Sequence, residues 1–111
     1  MTQRYLLPEN VRLARGERTI VRVEGRRIAL FNVEDALYAI DDSCPHAGAS
    51  LAGGKVDGCI VQCPAHGLRF NLKTGAMQPG TGLAVRCYPI SMHEGQLLIS
   101  LPVPACVGGL Q

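Results

Sequence analysis

Tryptophan is absent from the 111 residues, and the aromatic complement stops at two Phe and three Tyr. A core must therefore be built from aliphatic side chains, and a hydrophobic content of 47% is enough for one compact core but not for two. A single domain over residues 1–111 is the expectation. No apolar run approaches the ~20 residues that a membrane helix needs. Residues Met1 to Leu13 hold neither an apolar signal core nor a small-residue cleavage site, so a cytoplasmic protein with no membrane partner is expected. Charge of one sign is also scarce, with a net value of +2. That balance hides an asymmetry, because residues 1–27 carry seven Arg against three acids. Glu17 and Glu24 interrupt the series Arg12, Arg15, Arg18, Arg22, Arg26 and Arg27, and no aromatic stacking platform lies among them. The arginines read as a solvated strand face, and no nucleic-acid partner is expected.

What the chain does have is punctuation, with 13 Gly and 7 Pro, which favours a turn-rich structure over a helical bundle. Between the turn signals lie short runs of β-branched or alternating apolar character: Thr19–Val23, Arg27–Val33, Ala36–Asp41, Cys59–Gln62, Leu83–Ser91 and Gln96–Leu101. Tight hairpin turns are expected at Glu24-Gly25, Glu34-Asp35, Asp57-Gly58 and Glu94-Gly95, where polar or positive-φ residues stand between strands. The predicted fold class is all-β, with stacked antiparallel sheets. Pro102 to Gln111 reads as a flexible Pro/Gly tail.

Asp42–Gly54 and Pro64–Leu68 break the strand rhythm and are dense in Cys, His, Pro and Gly. They contain Cys44-Pro45-His46-Ala47-Gly48 and Cys63-Pro64-Ala65-His66-Gly67, each with one thiolate and one imidazole ligand within a single turn. Sixteen residues separate His46 from Cys63. Five cysteines cannot all pair within one chain, and in a reducing compartment metal ligation or burial explains them better than a disulfide framework. In a sulfide-bridged iron pair each metal needs two terminal ligands, thiolate on one and imidazole on the other. Two mixed loops supply that set from opposite sides, and the prolines and glycines restrict the loops and let the backbone pass close to an inorganic core. A Cys2His2 zinc site remains the alternative, although zinc sites usually draw their close pairs as Cys with Cys and His with His. A Cys-His nucleophile would leave the second loop without purpose.

The two loops, together with Arg69-Phe70-Asn71, Thr74-Gly75, Pro79, Tyr88-Pro89 and Gly95-Gln96-Leu97, resemble the Rieske-type ferredoxins of bacterial aromatic ring-hydroxylating dioxygenase systems over about Arg4 to Leu101. The resemblance implies one Rieske 2Fe-2S cluster, held by Cys44, His46, Cys63 and His66 in a small cluster-binding subdomain of about residues 42–71. It implies an electron-transfer component and not an enzyme: a monomer that passes single electrons from a flavin-dependent ferredoxin reductase to a terminal oxygenase. Cys44 and Cys63 would bind the buried iron, and His46 and His66 the outer one. High-potential members of the wider family carry a disulfide between the loops and a serine and a tyrosine aimed at the cluster sulfurs. Ala49, Ala65, Leu68 and Phe70 stand at those places here, which points to the low-potential class.

Two other functions fit less of the pattern: a Rieske-like small subunit of an assimilatory NAD(P)H nitrite reductase, and a zinc-stabilised binding module without redox chemistry. Among the other candidate side chains, Cys59 and Cys87 alternate with valines and are expected as small buried hydrophobes. His93 falls in a polar turn, and Cys106 is expected as an exposed thiol of the tail. The third Gly/Pro loop, Thr74–Gly82, offers no ligand type beyond Met77.

Overall fold

The computed structural model describes residues 2–8, 10–43, 49–65, 67–78 and 84–102. Eleven strands follow in chain order among them: β1 Thr2–Leu6, β2 Arg18–Val23, β3 Arg26–Val33, β4 Ala36–Asp41, β5 Lys55–Asp57, β6 Ile60–Gln62, β7 Arg69–Asn71, β8 Met77–Gln78, β9 Cys87–Tyr88, β10 Ile90–His93 and β11 Gln96–Pro102. The only helical element among the described residues is a 3-10 turn, Leu51–Gly53. All strand pairs are antiparallel and form three sheets, ordered β1-β11-β10, β2-β3-β4-β9 and β5-β6-β7-β8. The all-β expectation is borne out.

β3 explains how the sheets stack. Its run Ile28-Ala29-Leu30-Phe31 is buried on both faces, because successive side chains of a strand point to opposite sides. Ile28 and Leu30 join Leu7, Leu97, Ile99 and Leu101 in one apolar cluster toward the β1-β11-β10 sheet. Ala29 and Phe31 join Leu51, Val61, Cys63, Phe70 and Leu72 in a second cluster toward the β5–β8 sheet. The central sheet is thus the shared wall of two cores. Each fully buried Leu, Ile or Phe contributes roughly 1.5–3 kcal/mol by leaving water, so the wall also couples the two outer sheets energetically.

The hairpins form where the dipeptides predict them, with one shift of register. Glu24 and Gly25 have φ of 53° and 78°, Glu34 and Asp35 52° and 71°, and Glu94 and Gly95 50° and 84°. Two consecutive positive φ values are the mark of the type I′ turn, whose twist matches that of the flanking strands. In the β5-β6 hairpin Asp57 pairs with Ile60, so the central residues are Gly58 and Cys59, with a positive φ of 61° at Gly58. Cys59 is therefore a half-buried turn residue and not the buried strand position expected for it.

The expected strand Leu83–Ser91 is two strands in two sheets. Pro89 separates β9, which pairs with β4, from β10, which pairs with β11. Proline offers no N–H to a ladder, while its carbonyl accepts a hydrogen bond from Ser100 N at 2.9 Å. β1, β5, β7 and β8 lie outside the predicted runs; three of them are only two or three residues long, too short to show a period. Residues 103–111, most of the expected tail and Cys106 with it, lie outside the described residues.

Candidate iron-sulfur site

Of the four predicted ligands, Cys63 is among the described residues; Cys44, His46 and His66 lie outside them. Cys63 follows β6 directly and is 1% exposed. Its backbone N–H donates to Leu68 O at 2.7 Å and its carbonyl accepts from Gly67 N at 2.9 Å, so the second loop closes on itself in one tight turn. Gly67 takes a φ of 74° there, in the left-handed region that favours glycine. Leu51, Ala52 and Phe70 belong to the same buried cluster as the Cys63 side chain, with Ala49 and Leu68 packed at its margin.

The stem of the first loop is described on both sides. Ser43 and Ser50 form an isolated antiparallel bridge, which brings the two ends of segment 44–48 together. The chain then turns through Leu51–Gly53 and reaches β5 by way of Gly54. A Cβ on Gly54 would lie 2.1 Å from Gln62 O, so only glycine permits the exit of the first loop to lie against the last residue of β6, one position before Cys63. The stems of both Cys/His loops therefore meet in one place. A soft thiolate at that junction, shielded from water by apolar side chains, fits the inner ligand of an iron-sulfur cluster.

The junction is held by polar groups that the sequence reading did not single out. The Asp42 side chain is 0% exposed and ion-paired with Arg27, whose Nη2 lies 2.9 Å from Oδ2. Arg27 Nε donates to the same oxygen at 3.0 Å, Ser50 Oγ donates to both carboxylate oxygens at 2.9 Å, and Ala52 N donates to Oδ1 at 2.8 Å. Arg18 Nη1 donates to the carbonyls of Ala52 and Gly54. Arg18 and Arg27 are exposed, as the sequence reading has it, and in addition brace the stem of the first loop. Arg26 Nη1 leaves the solvent role, donating to Tyr88 Oη at 3.2 Å. The available signal was the placement of Asp42 and Ser50 on either side of the Cys/His segment, since an acid beside a ligand loop needs a cation to be buried.

The remaining candidates divide. Cys87 is half-buried against the second cluster, where burial, and then the charge of Asp41, push its thiol pKa up. It is therefore a poor nucleophile. Tyr88 is pushed up to about 12, first by burial and then by the hydrogen bond that its hydroxyl donates to Asp41. His93 is exposed beside Glu94, as expected, although it is the last residue of β10, paired with Gln96, and not part of the turn. Met77 packs at the edge of the second cluster, and Pro79 lies outside the described residues.

The family model of the Rieske [2Fe-2S] domain matches residues 3–89. The chain belongs to the Rieske [2Fe-2S] family. It is 34% identical over 82 residues to the ferredoxin component of the naphthalene 1,2-dioxygenase system of Pseudomonas putida, a match covering 73% of this chain and 79% of that one. Among solved structures it is similar to a chain of the complex of reduced oxygenase and oxidized ferredoxin in carbazole 1,9a-dioxygenase, with a TM-score of 0.70, 33% identity, and coverage of 78% and 82%. The putative NADH-dependent nitrite reductase small subunit of Mycobacterium tuberculosis has a TM-score of 0.81 at 23% identity, covering 94% of this chain and 99% of that one, which shows a common fold. The Rieske fold carries one 2Fe-2S cluster, and the related ferredoxins are electron-transfer components of dioxygenase systems and not their catalysts. No helix among the described residues is long and apolar enough to cross a membrane.

Proposed function

We propose that this Rieske protein is a monomeric cytoplasmic ferredoxin that takes single electrons from a flavin-dependent reductase and delivers them to the terminal oxygenase of an aromatic ring-hydroxylating system. Its cluster ligands are Cys44, His46, Cys63 and His66, within a subdomain of about residues 42–71 of a single domain. The observation that carries this reading is the burial of Cys63 where the stems of both Cys/His loops converge. The cluster supplies a one-electron couple. The chain's own part is to bind it: Cys63 in the apolar wall made by Leu51 and Phe70 keeps water from the inner thiolate, while the first loop starts from a stem braced by Arg18 and Arg27 of the central sheet.

The test is metal and sulfide analysis of anaerobically purified protein beside Cys63→Ala. Iron and acid-labile sulfide in equal amounts, with a Rieske EPR signal on reduction that Cys63→Ala abolishes, is the expected result; zinc in place of iron refutes the reading. The nitrite reductase neighbour favours a second reading, a permanent small subunit. Retention of this chain on a large haem-containing partner through purification would select it. The related ferredoxins instead belong to dioxygenase systems, and electron-transfer encounters of carriers are small and transient.

A further inference from the structure

The Asp42 carboxylate is the most deeply buried charge among the described residues, and its bonds join the two ends of one loop. Asp42 itself precedes segment 44–48; Ser50 and Ala52 follow it. Its backbone makes the same connection, since Leu51 N donates to Asp42 O at 3.1 Å and Asp42 N donates to Arg27 O at 3.0 Å. The carboxylate thus closes the base of the loop, and Arg27 ties that base to the central sheet and balances the charge. A hydrophobic pair would bury as well at this place, and often better. It would not fix where the two ends of the loop stand relative to each other, because apolar contact has no direction.

We propose that Asp42 is a positioning residue for the first ligand loop, acting with Ser50 and Arg27 as a charged clamp that sets both the retention of the cluster and its reduction potential. The proposal rests on the reading that Cys44 and His46 are ligands. With consecutive Cα atoms ~3.8 Å apart, the Cα of Asp42 stands no more than about 7 Å from that of Cys44. The Asp42 carboxylate is shielded from water, so left unpaired it acts on the cluster with little screening, whereas the Arg27 guanidinium, 47% exposed, is partly screened and acts more weakly. Asp42→Asn keeps the shape of the side chain but leaves the Arg27 guanidinium without its counter-charge, which favours the reduced, more negative cluster and raises the potential. Arg27→Gln leaves the carboxylate uncompensated and lowers it. Ser50→Ala removes the hydroxyl that bridges both carboxylate oxygens without changing any charge, so it loosens the loop with a smaller shift of potential.

The experiment compares these three holoproteins with wild type by protein-film voltammetry, by EPR after reduction, and by the rate of iron loss to a chelator. Asn32→Ala is the control. Asn32 is a buried side chain of the same sheet that donates to Leu13 O at 3.0 Å and accepts from Asp35 N at 2.9 Å, and neither of these hydrogen bonds goes to a loop stem. The expected result is a higher potential for Asp42→Asn, a lower one for Arg27→Gln, and several-fold faster iron loss for Asp42→Asn and Ser50→Ala; Asn32→Ala lowers thermal stability and leaves potential and EPR lines in place. Wild-type potentials and EPR lines in all three variants, with stability alone reduced as in Asn32→Ala, overturn the proposal. Where Asp42→Asn yields no holoprotein, the direction of the Arg27→Gln shift and the iron-loss rate of Ser50→Ala decide by the same criteria. Cys44→Ala separates the two layers: a wild-type EPR signal in that variant sinks the ligand assignment, whereas its loss alongside unaltered clamp variants sinks only the clamp.

Discussion

Replacing Gly75 by alanine tests how the third loop is tied to the rest of the molecule. Gly75 has a φ of +79°, and a Cβ built on it would lie 2.1 Å from Val85 O and 3.1 Å from Cys87 Sγ. Gly25 has a nearly identical φ of +78° with nothing within 4 Å of its Cβ position. The two substitutions therefore share one cost and differ in another. Holding alanine in the left-handed region costs about 1–2 kcal/mol in both. At Gly75 the backbone must also move away from Val85, which disturbs the bonds Val85 N to Gly75 O at 2.9 Å and Gly75 N to Asn71 O at 2.6 Å, and the Ala76–Ala84 bridge. At about 1 kcal/mol for each hydrogen bond, the total for Gly75→Ala is about 3–5 kcal/mol. For a domain of this size 1 kcal/mol moves the melting temperature by roughly 4 °C, so roughly 4–8 °C is expected for Gly25→Ala and roughly 12–20 °C for Gly75→Ala. Far-UV circular dichroism at one scan rate, on preparations of equal cluster content, reads both. Equal shifts in the two variants would show that the backbone contact at Val85 yields freely, and would refute the close-approach reasoning.

Two further outcomes follow from side chains already described. The low-potential assignment places the wild type toward the lower end of the ~ -150 to +300 mV range of Rieske centres, and Leu68→Ser with Phe70→Tyr should raise it by about 65–130 mV for each hydroxyl that reaches a sulfur; voltammetry showing a fall with the cluster intact refutes the proposed cause. Tyr88 is raised to about 12 in the folded protein from its ordinary 10, so the fold favours the neutral phenol. That contribution to stability is complete below pH 10 and is lost as the pH climbs from 10 to about 12. Tyrosinate absorbance should show a group titrating at about 12 that disappears in Tyr88→Phe and moves down in Asp41→Asn, since the Asp41 charge and hydrogen bond both raise it; an unchanged titration in Asp41→Asn would contradict the contact.

The features readable from the chain alone are those whose cause is local. A hairpin turn needs particular φ values at two adjacent positions, so Glu24-Gly25, Glu34-Asp35 and Glu94-Gly95 announce themselves. Ligand loops are also local, because a thiolate and an imidazole within one turn meet a shared set of metals wherever the turn is placed. Strand pairs joined by such turns follow directly, as β2-β3, β3-β4 and β10-β11 do. The sequence alone also determined the family, through the types and spacing of the residues in the two loops.

Only the tertiary structure decided which long-range partners meet. The single run Leu83–Ser91 serves two sheets because Pro89 interrupts it between β4 and β11, strands far from each other in sequence. Cys59 left its expected strand because the pairing of Asp57 with Ile60 moved the turn by one position. Arg18 and Arg27 look like the neighbouring arginines in the chain; their roles appear only when β2 and β3 bring them to carbonyls that follow a loop and to a carboxylate that precedes it. The physical reason is the same in each case. Local conformation is chosen by the sterics and hydrogen bonding of a few adjacent residues, whereas the burial of Cys63 and the pairing of Asp42 depend on which distant surfaces exclude water together, and that is a property of the packed sheets and not of any segment.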